Sequence, residues 1–208
     1  LNYDIIYAFT LATAALAVLP GPDNIYVLMQ SITHGKKYGL ATVAGLMSGC
    51  LVHTTLLAFG VSAIIKESDA IFFSIKLLGA LYLFFLAYKV FNSKPEIQIG
   101  ESDIPKKGLL QLFRRGFIMN VLNPKVTIFF LAFFPGFLFS NELSTVVQFY
   151  VLGLLFIFVS FIIFGLIAIL SGTISDYITK HSGVGCFLKW LQIIVFTGIG
   201  VYILFSDK

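Results

Sequence analysis

An aspartate and a lysine stand at matching breaks in two apolar stretches. Asp23 follows Pro20-Gly21-Pro22 in LPGPDN, Leu19–Asn24, and Lys125 follows Asn123-Pro124 in NVLNPKVTIFF, Asn120–Phe130. Aligned, Pro22 lies over Pro124 and Asp23 over Lys125. Proline has no N–H and clashes with the preceding turn, so each helix opens there. The half-helix that follows starts with N–H groups that have no intrahelical acceptor. Together with the helix dipole, those groups favour an anion such as a carboxylate. Asp23 offers the opposite preference, for an ammonium group or a proton. Two opened half-helices carrying one charge of each sign suit a zwitterion.

Each residue also has a plainer reading. A Pro20-Gly21-Pro22 or Pro124 kink can serve packing alone, and Asp23 suits the first turn of a helix whatever else it does. Lys125 is harder to explain locally, because a cation in the first turn opposes the dipole; its alternative is to snorkel to the interface. A midplane charge costs about 2.5–3.5 kcal/mol even on the lenient insertion scale. Two such charges at matching kinks therefore favour a functional pair that compensates itself when empty. Asn24 and Asn123 are polar neighbours at the breaks, and Asn120 lies one turn before Pro124. His53, inside an apolar run, reads either as a neutral hydrogen-bonded residue or as a proton relay. Gly45 and Gly49 form a G-x-x-x-G suited to close helix contact. Lys76 and Lys189 read as anchors at the membrane edge.

The elements that must hold these residues are membrane spans. Of 208 residues, 58% are hydrophobic and 12% charged, too little polar residue to clothe a soluble core. Apolar runs near Ile5–Met29, Leu40–Ile65, Ala70–Phe91, Phe113–Phe139, Thr145–Leu170 and Phe187–Phe205 are long enough to cross a bilayer as helices. The expected fold is all-α, one transmembrane domain over 1–208, with helices 1 and 4 broken. Its halves, about 1–91 and 112–208, flank a polar loop, Asn92–Gln111, containing Pro95, Gly100 and Pro105. Gly172 and Gly183 punctuate the connection before the last span. IKLLGALYLFFLAYKVF, Ile75–Phe91, loosely matches LKWLQIIVFTGIGVYILF, Leu188–Phe205, with Lys76 over Lys189. Three spans per half make the halves inverted repeats, the pattern of secondary transporters with a site at paired broken helices.

The net charge of +4 forms no stripe that would suit nucleic acid. Lys36, Lys37, Lys89, Lys94, Lys106, Lys107, Arg114, Arg115, Lys180 and Lys189 fall on one side of the expected spans, against Lys66 and Lys208 on the other. The positive-inside rule then places both termini outside and the long loop in the cytoplasm. The first run has neither a basic n-region nor an A-x-A-like cleavage site, so it reads as a mature span. Cys50 and Cys186 form no C-x-x-C. There is no H-E-x-x-H and no G-x-S-x-G, which argues against an intramembrane enzyme. A channel would need a filter motif, and a metal exporter would need clustered Asp, Glu, His or Cys.

LPGPDNIYVL, IKLLGALYLFFLAYKVF and GFIMNVLNPKVTIFFLAFFPGF resemble the LysE/RhtB family of amino-acid exporters over essentially the whole chain. The resemblance implies export of amino acids or their derivatives across the bacterial inner membrane, coupled to protons, by alternating access. The partners implied are a small amino-acid substrate, protons and the lipid bilayer, with a homodimer left open and with no cofactor and no metal. Export of another small solute or a metal ion is the runner-up. On this reading Pro20, Gly21, Pro22, Asp23, Asn24, Asn120, Asn123, Pro124 and Lys125 bind substrate, and Asp23 and His53 are the candidates for proton coupling. Tyr82 resembles the family's tyrosine in span three, either lining the cavity or packing beside it.

Overall fold

The computed structural model describes residues 1–62, 69–94, 106–181 and 183–205. Ile65, Lys66, Lys208 and most of the expected loop, including Pro95, Gly100, Glu101 and Pro105, lie outside the described residues. Among those described there is no strand.

Helix α1, Tyr3–Val18, starts at Asn2, whose Oδ1 accepts from Asp4 N at 3.1 Å. The chain breaks at Leu19-Pro20-Gly21 and resumes as α2, Pro22–His34, bent 58° from α1. Gly35 alone joins α2 to α3, Lys36–Leu56, at φ +100°, a backbone region open to glycine and strained for a residue with a Cβ. A π turn, Leu57–Val61, extends α3. Helix α4 spans Asp69–Phe91. The second broken pair is α5, Leu109–Val121, and α6, Pro124–Phe133, bent 53° and extended by a 3-10 turn at Phe134–Phe137. Helix α7 covers Thr145–Ile169, α8 Ser171–Lys180 and α9 Gly183–Phe205.

Among the described residues four helices are long and apolar enough to cross a membrane, and up to six spans result when each bent pair counts as one. The chain is a multi-pass membrane protein. The structure revises the connection before the last span. Gly172 lies inside α8 and Gly183 opens α9. Ile174, Tyr177 and Ile178 recur at helical spacing against Ser175, Asp176 and Thr179. That gives a short amphipathic helix, too polar to span.

Glycines set the closest crossing. A Cβ at Gly45 would stand 2.0 Å from the Phe113 carbonyl oxygen, and one at Gly116 2.4 Å from that of Thr42. The G-x-x-x-G of α3 therefore serves contact with α5, with Gly49 lying under Asn120. Phe9 packs with Phe133, Phe134 and Phe137 at centroid distances of 5.1–5.4 Å. This ring cluster seals α1 against α6. Beside it, Asn2 N donates to Phe139 O at 2.8 Å, and Gln148 ties the turn through Phe139 N, Ser140 and Leu143 O. Basic residues gather at the opposite ends of these helices: Lys106 lies over Tyr38, Arg115 over Tyr26, and Lys189 Nζ donates to Ser93 O at 2.8 Å. Lys189, near the start of α9, is thus tied to the end of α4, whereas Lys76 is 7% exposed, within the helix packing.

Candidate functional site

The two breaks meet. Asn123 caps α6 by accepting the Lys125 N–H on Oδ1 at 3.0 Å, and its amide nitrogen donates to Asp23 Oδ2 at 3.1 Å. One asparagine therefore caps its own half-helix and holds the carboxylate of the other. Helix α2 has no equivalent cap, because Gly21 carries no side chain. Pro22 lacks an N–H, and the first i→i−4 bond runs from Ile25 N to Gly21 O at 3.0 Å. The N–H groups of Asp23 and Asn24 thus open the helix without an intrahelical acceptor.

Side chains also patch the carbonyls freed by the first break. Asn24 Nδ2 donates to Ala17 O at 2.7 Å, and Gln192 Nε2 of α9 donates to Pro20 O. Buried backbone acceptors need such partners at membrane depth.

Between the breaks lies a cavity of about 90 Å³. Gly21, Pro22, Asp23, Asn24, Asn120, Asn123 and Lys125 border it, with Cys50 and Ser160. The rest of the wall is apolar, including Leu16, Leu19, Met47, Leu83, Val126, Phe129, Phe156, Phe164 and Phe196. Lys125 Nζ lies 4.9 Å from the centre of the Phe196 ring, a cation–π arrangement. It stands 3.9 Å from the point a Cβ on Gly21 would occupy, so the bare glycine backbone faces the ammonium group.

Asp23 and Lys125 attract each other across the cavity, as expected from the sequence, but without the direct contact of an ion pair. Among the described residues the ion pair within 4.0 Å is Lys180–Asp176 at the surface. Asn123 occupies one oxygen of Asp23, and the Phe196 ring holds Lys125. Both charges keep capacity for another partner.

Four other residues named from the sequence stand apart from the cavity lining, among them Pro124, which opens α6 between the lining residues Asn123 and Lys125. Pro20 borders a separate apolar groove and reaches the site only through its carbonyl bond to Gln192. His53 is 4% exposed, with Nε2 3.1 Å from Asn120 O and its ring 5.5 Å from that of Phe130. It supports the backbone just before the second break. Tyr82 is half-buried beside Phe85, and its neighbour Leu83 takes the cavity position.

Ser160, Gln192 and Phe196 were not singled out from the sequence. Ser160 is a lone hydroxyl between Phe156 and Phe164 at helical spacing, and Gln192 is the one amide in the apolar run Phe187–Phe205. Isolated polar residues inside spans were the available signal.

Residues 14–207 match the family described as LysE type translocator. A leucine efflux protein of Klebsiella pneumoniae is 29% identical over 87% of this chain and 82% of its own length. The uncharacterized membrane protein YrhP of Bacillus subtilis is 28% identical over 65% of this chain and 69% of its own. No solved structure matches. With the family match running from the end of α1 through both breaks to the last span, the chain belongs to the LysE type translocators and is a membrane transporter, not an enzyme.

Proposed function

We propose that this chain is a secondary exporter of neutral, apolar amino acids, coupled to protons and working by alternating access in the bacterial inner membrane. The observation that carries the reading is the meeting of two opened half-helices, which brings Asp23 and Lys125 to one small cavity without direct contact between them. The substrate carboxylate lies on Lys125 and the free N–H groups of α2; its ammonium faces Asp23. The side chain meets the Leu, Met, Val and Phe wall, where no second acidic residue waits for a cationic side chain. The leucine efflux relative supports this choice. Protonation of Asp23 removes the attraction for the ammonium, a direct way to link proton entry to substrate release.

Several contacts support the inverted repeat. Helix α3 packs on α5 as α7 packs on α1, α3 meets α7, and α4 meets α9. An in-plane two-fold axis exchanging the halves would pair these same neighbours. The halves also differ in one respect that suits alternating access. Gly79 lets α4 close on α6, since a Cβ there would stand 1.8 Å from that of Ala132. In the sequence alignment of the third spans Gln192 occupies the Gly79 position. Near it runs a groove of about 530 Å³, bordered by Val18, Pro20 and Ile25, by Ile163 and Ile167 of α7, by Ile174 and Tyr177 of α8, and by Val184 and Leu188 of α9. Gly79 thus closes α4 directly on α6, whereas Gln192 bridges α9 to the first break through its bond to Pro20 O, beside an open groove. The basic residues at a single end of the bundle support both termini lying outside.

The test is transport in inside-out membrane vesicles. Leucine and other neutral amino acids are expected to accumulate when a proton gradient is imposed, and to stop accumulating when an ionophore collapses it. Lysine and glutamate should accumulate poorly. Equal accumulation with and without the gradient would reject proton coupling, and no accumulation of any amino acid would reject the reading.

A further inference from the structure

We propose that Ser160, together with Asn120, completes the binding site for the substrate's ammonium group and makes the transporter selective for primary amines. The inference rests on the amino-acid-export reading above and adds a residue and a selectivity to it.

Several helical hydroxyls in this protein bond back to the carbonyl four residues earlier, while among the described residues Thr13, Ser62 and Ser160 do not. Ser31 bonds to Val27 O, Ser48 to Ala44 O, Thr54 to Cys50 O, Thr55 to Leu51 O and Ser74 to Ala70 O, all at 2.8–2.9 Å. Ser160 borders the cavity at 2% exposure, and its Oγ has no partner. Asn120 borders the same cavity at 4% exposure, and of its amide the carbonyl oxygen is left without a partner. Buried polar atoms are rarely left so, and each calls for an explanation. Thr13, Tyr26, Gln30 and Ser62 also hold unpartnered atoms, but none of them borders the cavity; Asn120 and Ser160, on α5 and α7, share it, and that sharing points to an occupant that donates hydrogen bonds.

The sign follows from the atoms. Asn120 Oδ1 accepts only, and the Ser160 hydroxyl accepts as well as donates. The donors of the cavity, Lys125 Nζ and the free N–H groups at the start of α2, suit the carboxylate. What remains is an acceptor set: the Asp23 oxygen not taken by Asn123, Asn120 Oδ1 and Ser160 Oγ. It matches the three N–H bonds of an ammonium group. All three residues border the same cavity. An N-methylated amine offers one N–H fewer and puts a methyl against a polar oxygen.

The experiment uses the purified full chain in proteoliposomes, with leucine as substrate and with N-methylleucine and 4-methylpentanoate, which lacks the amine, as competitors. Ser160→Ala is expected to raise the KM for leucine about tenfold, the loss of one hydrogen bond to a charged group. It should leave competition by 4-methylpentanoate unchanged and narrow the preference for leucine over N-methylleucine. Ser160→Thr, which keeps the hydroxyl, should restore the leucine KM. Protein recovered after size-exclusion chromatography should be the same for each variant. A wild-type KM in Ser160→Ala overturns the proposal while leaving amino-acid export standing. Equal weakening of leucine and 4-methylpentanoate also overturns it, since the serine then acts through packing. A wild-type protein that neither transports nor binds leucine overturns the export reading, and this inference with it.

Discussion

Asn123 and Asp23, one hundred positions apart, are joined by a hydrogen bond of 3.1 Å between the amide of one break and the carboxylate of the other. The same asparagine caps the half-helix that carries Lys125. Removing it should therefore act twice. Asn123→Ala is expected to lower stability by about 1 kcal/mol through the lost cap and to reduce transport further by freeing Asp23. Asn123→Ser keeps an N-cap but is too short to reach the carboxylate. It should recover thermal stability without recovering the transport rate, as measured by melting in detergent beside vesicle uptake.

The charges themselves should matter more than their support. Asp23→Asn and Lys125→Met are each expected to cut export by roughly ten- to a hundredfold, the scale of one hydrogen bond to a charged group. Membrane abundance should stay largely intact, because Asp23 keeps its bond from Asn123 and no direct ion-pair contact is broken. Normal export by Lys125→Met at normal abundance would show that the lysine only packs on Phe196.

Gln192 reaches the first break from the last helix. Gln192→Leu keeps the volume and removes the donor, leaving the Pro20 carbonyl without its partner. Slower transport with a nearly unchanged leucine KM is the expected result, since Gln192 does not border the cavity. A change in KM alone would place it in binding instead.

Gly45 and Gly116 should behave in the opposite manner. Leucine at either position must push α3 away from α5, where even a Cβ would overlap a backbone carbonyl. Overpacking of this kind costs about 1–3 kcal/mol or more. Loss of folded protein in membranes, with transport per molecule preserved at low temperature, would separate this role from that of the cavity residues.

Orientation is testable with single cysteines in a background lacking Cys50 and Cys186. Asn141→Cys, beside the turn tied by Gln148, should react in intact cells with an impermeant thiol reagent. Lys37→Cys, at the basic end, should react only after the membrane is opened. Both positions are exposed, so burial does not confound the comparison. The reverse pattern would turn the whole transporter over.

Much of this protein was legible in the chain alone, for reasons that are local. Hydropathy and the bilayer thickness mark the spans, and proline marks the breaks at Pro22 and Pro124, because a missing N–H acts on its own helix. The short helix Ser171–Lys180 was obscured by its polarity, although its apolar spacing was present. Which side chains meet was a different matter. Opposite charges at Asp23 and Lys125 suggested a pair, yet packing gave Asp23 the Asn123 amide and Lys125 the Phe196 ring. Tyr82 turned beside Phe85, while Ser160 came to the cavity with its hydroxyl unpartnered. Those outcomes depend on crossing angles and helix rotation, set by distant contacts such as Gly45 on Phe113 and Gly79 on Ala132. Composition and spacing determined that the chain spans a membrane and breaks twice; the approach of helices far apart in sequence decided what faces the cavity between the breaks.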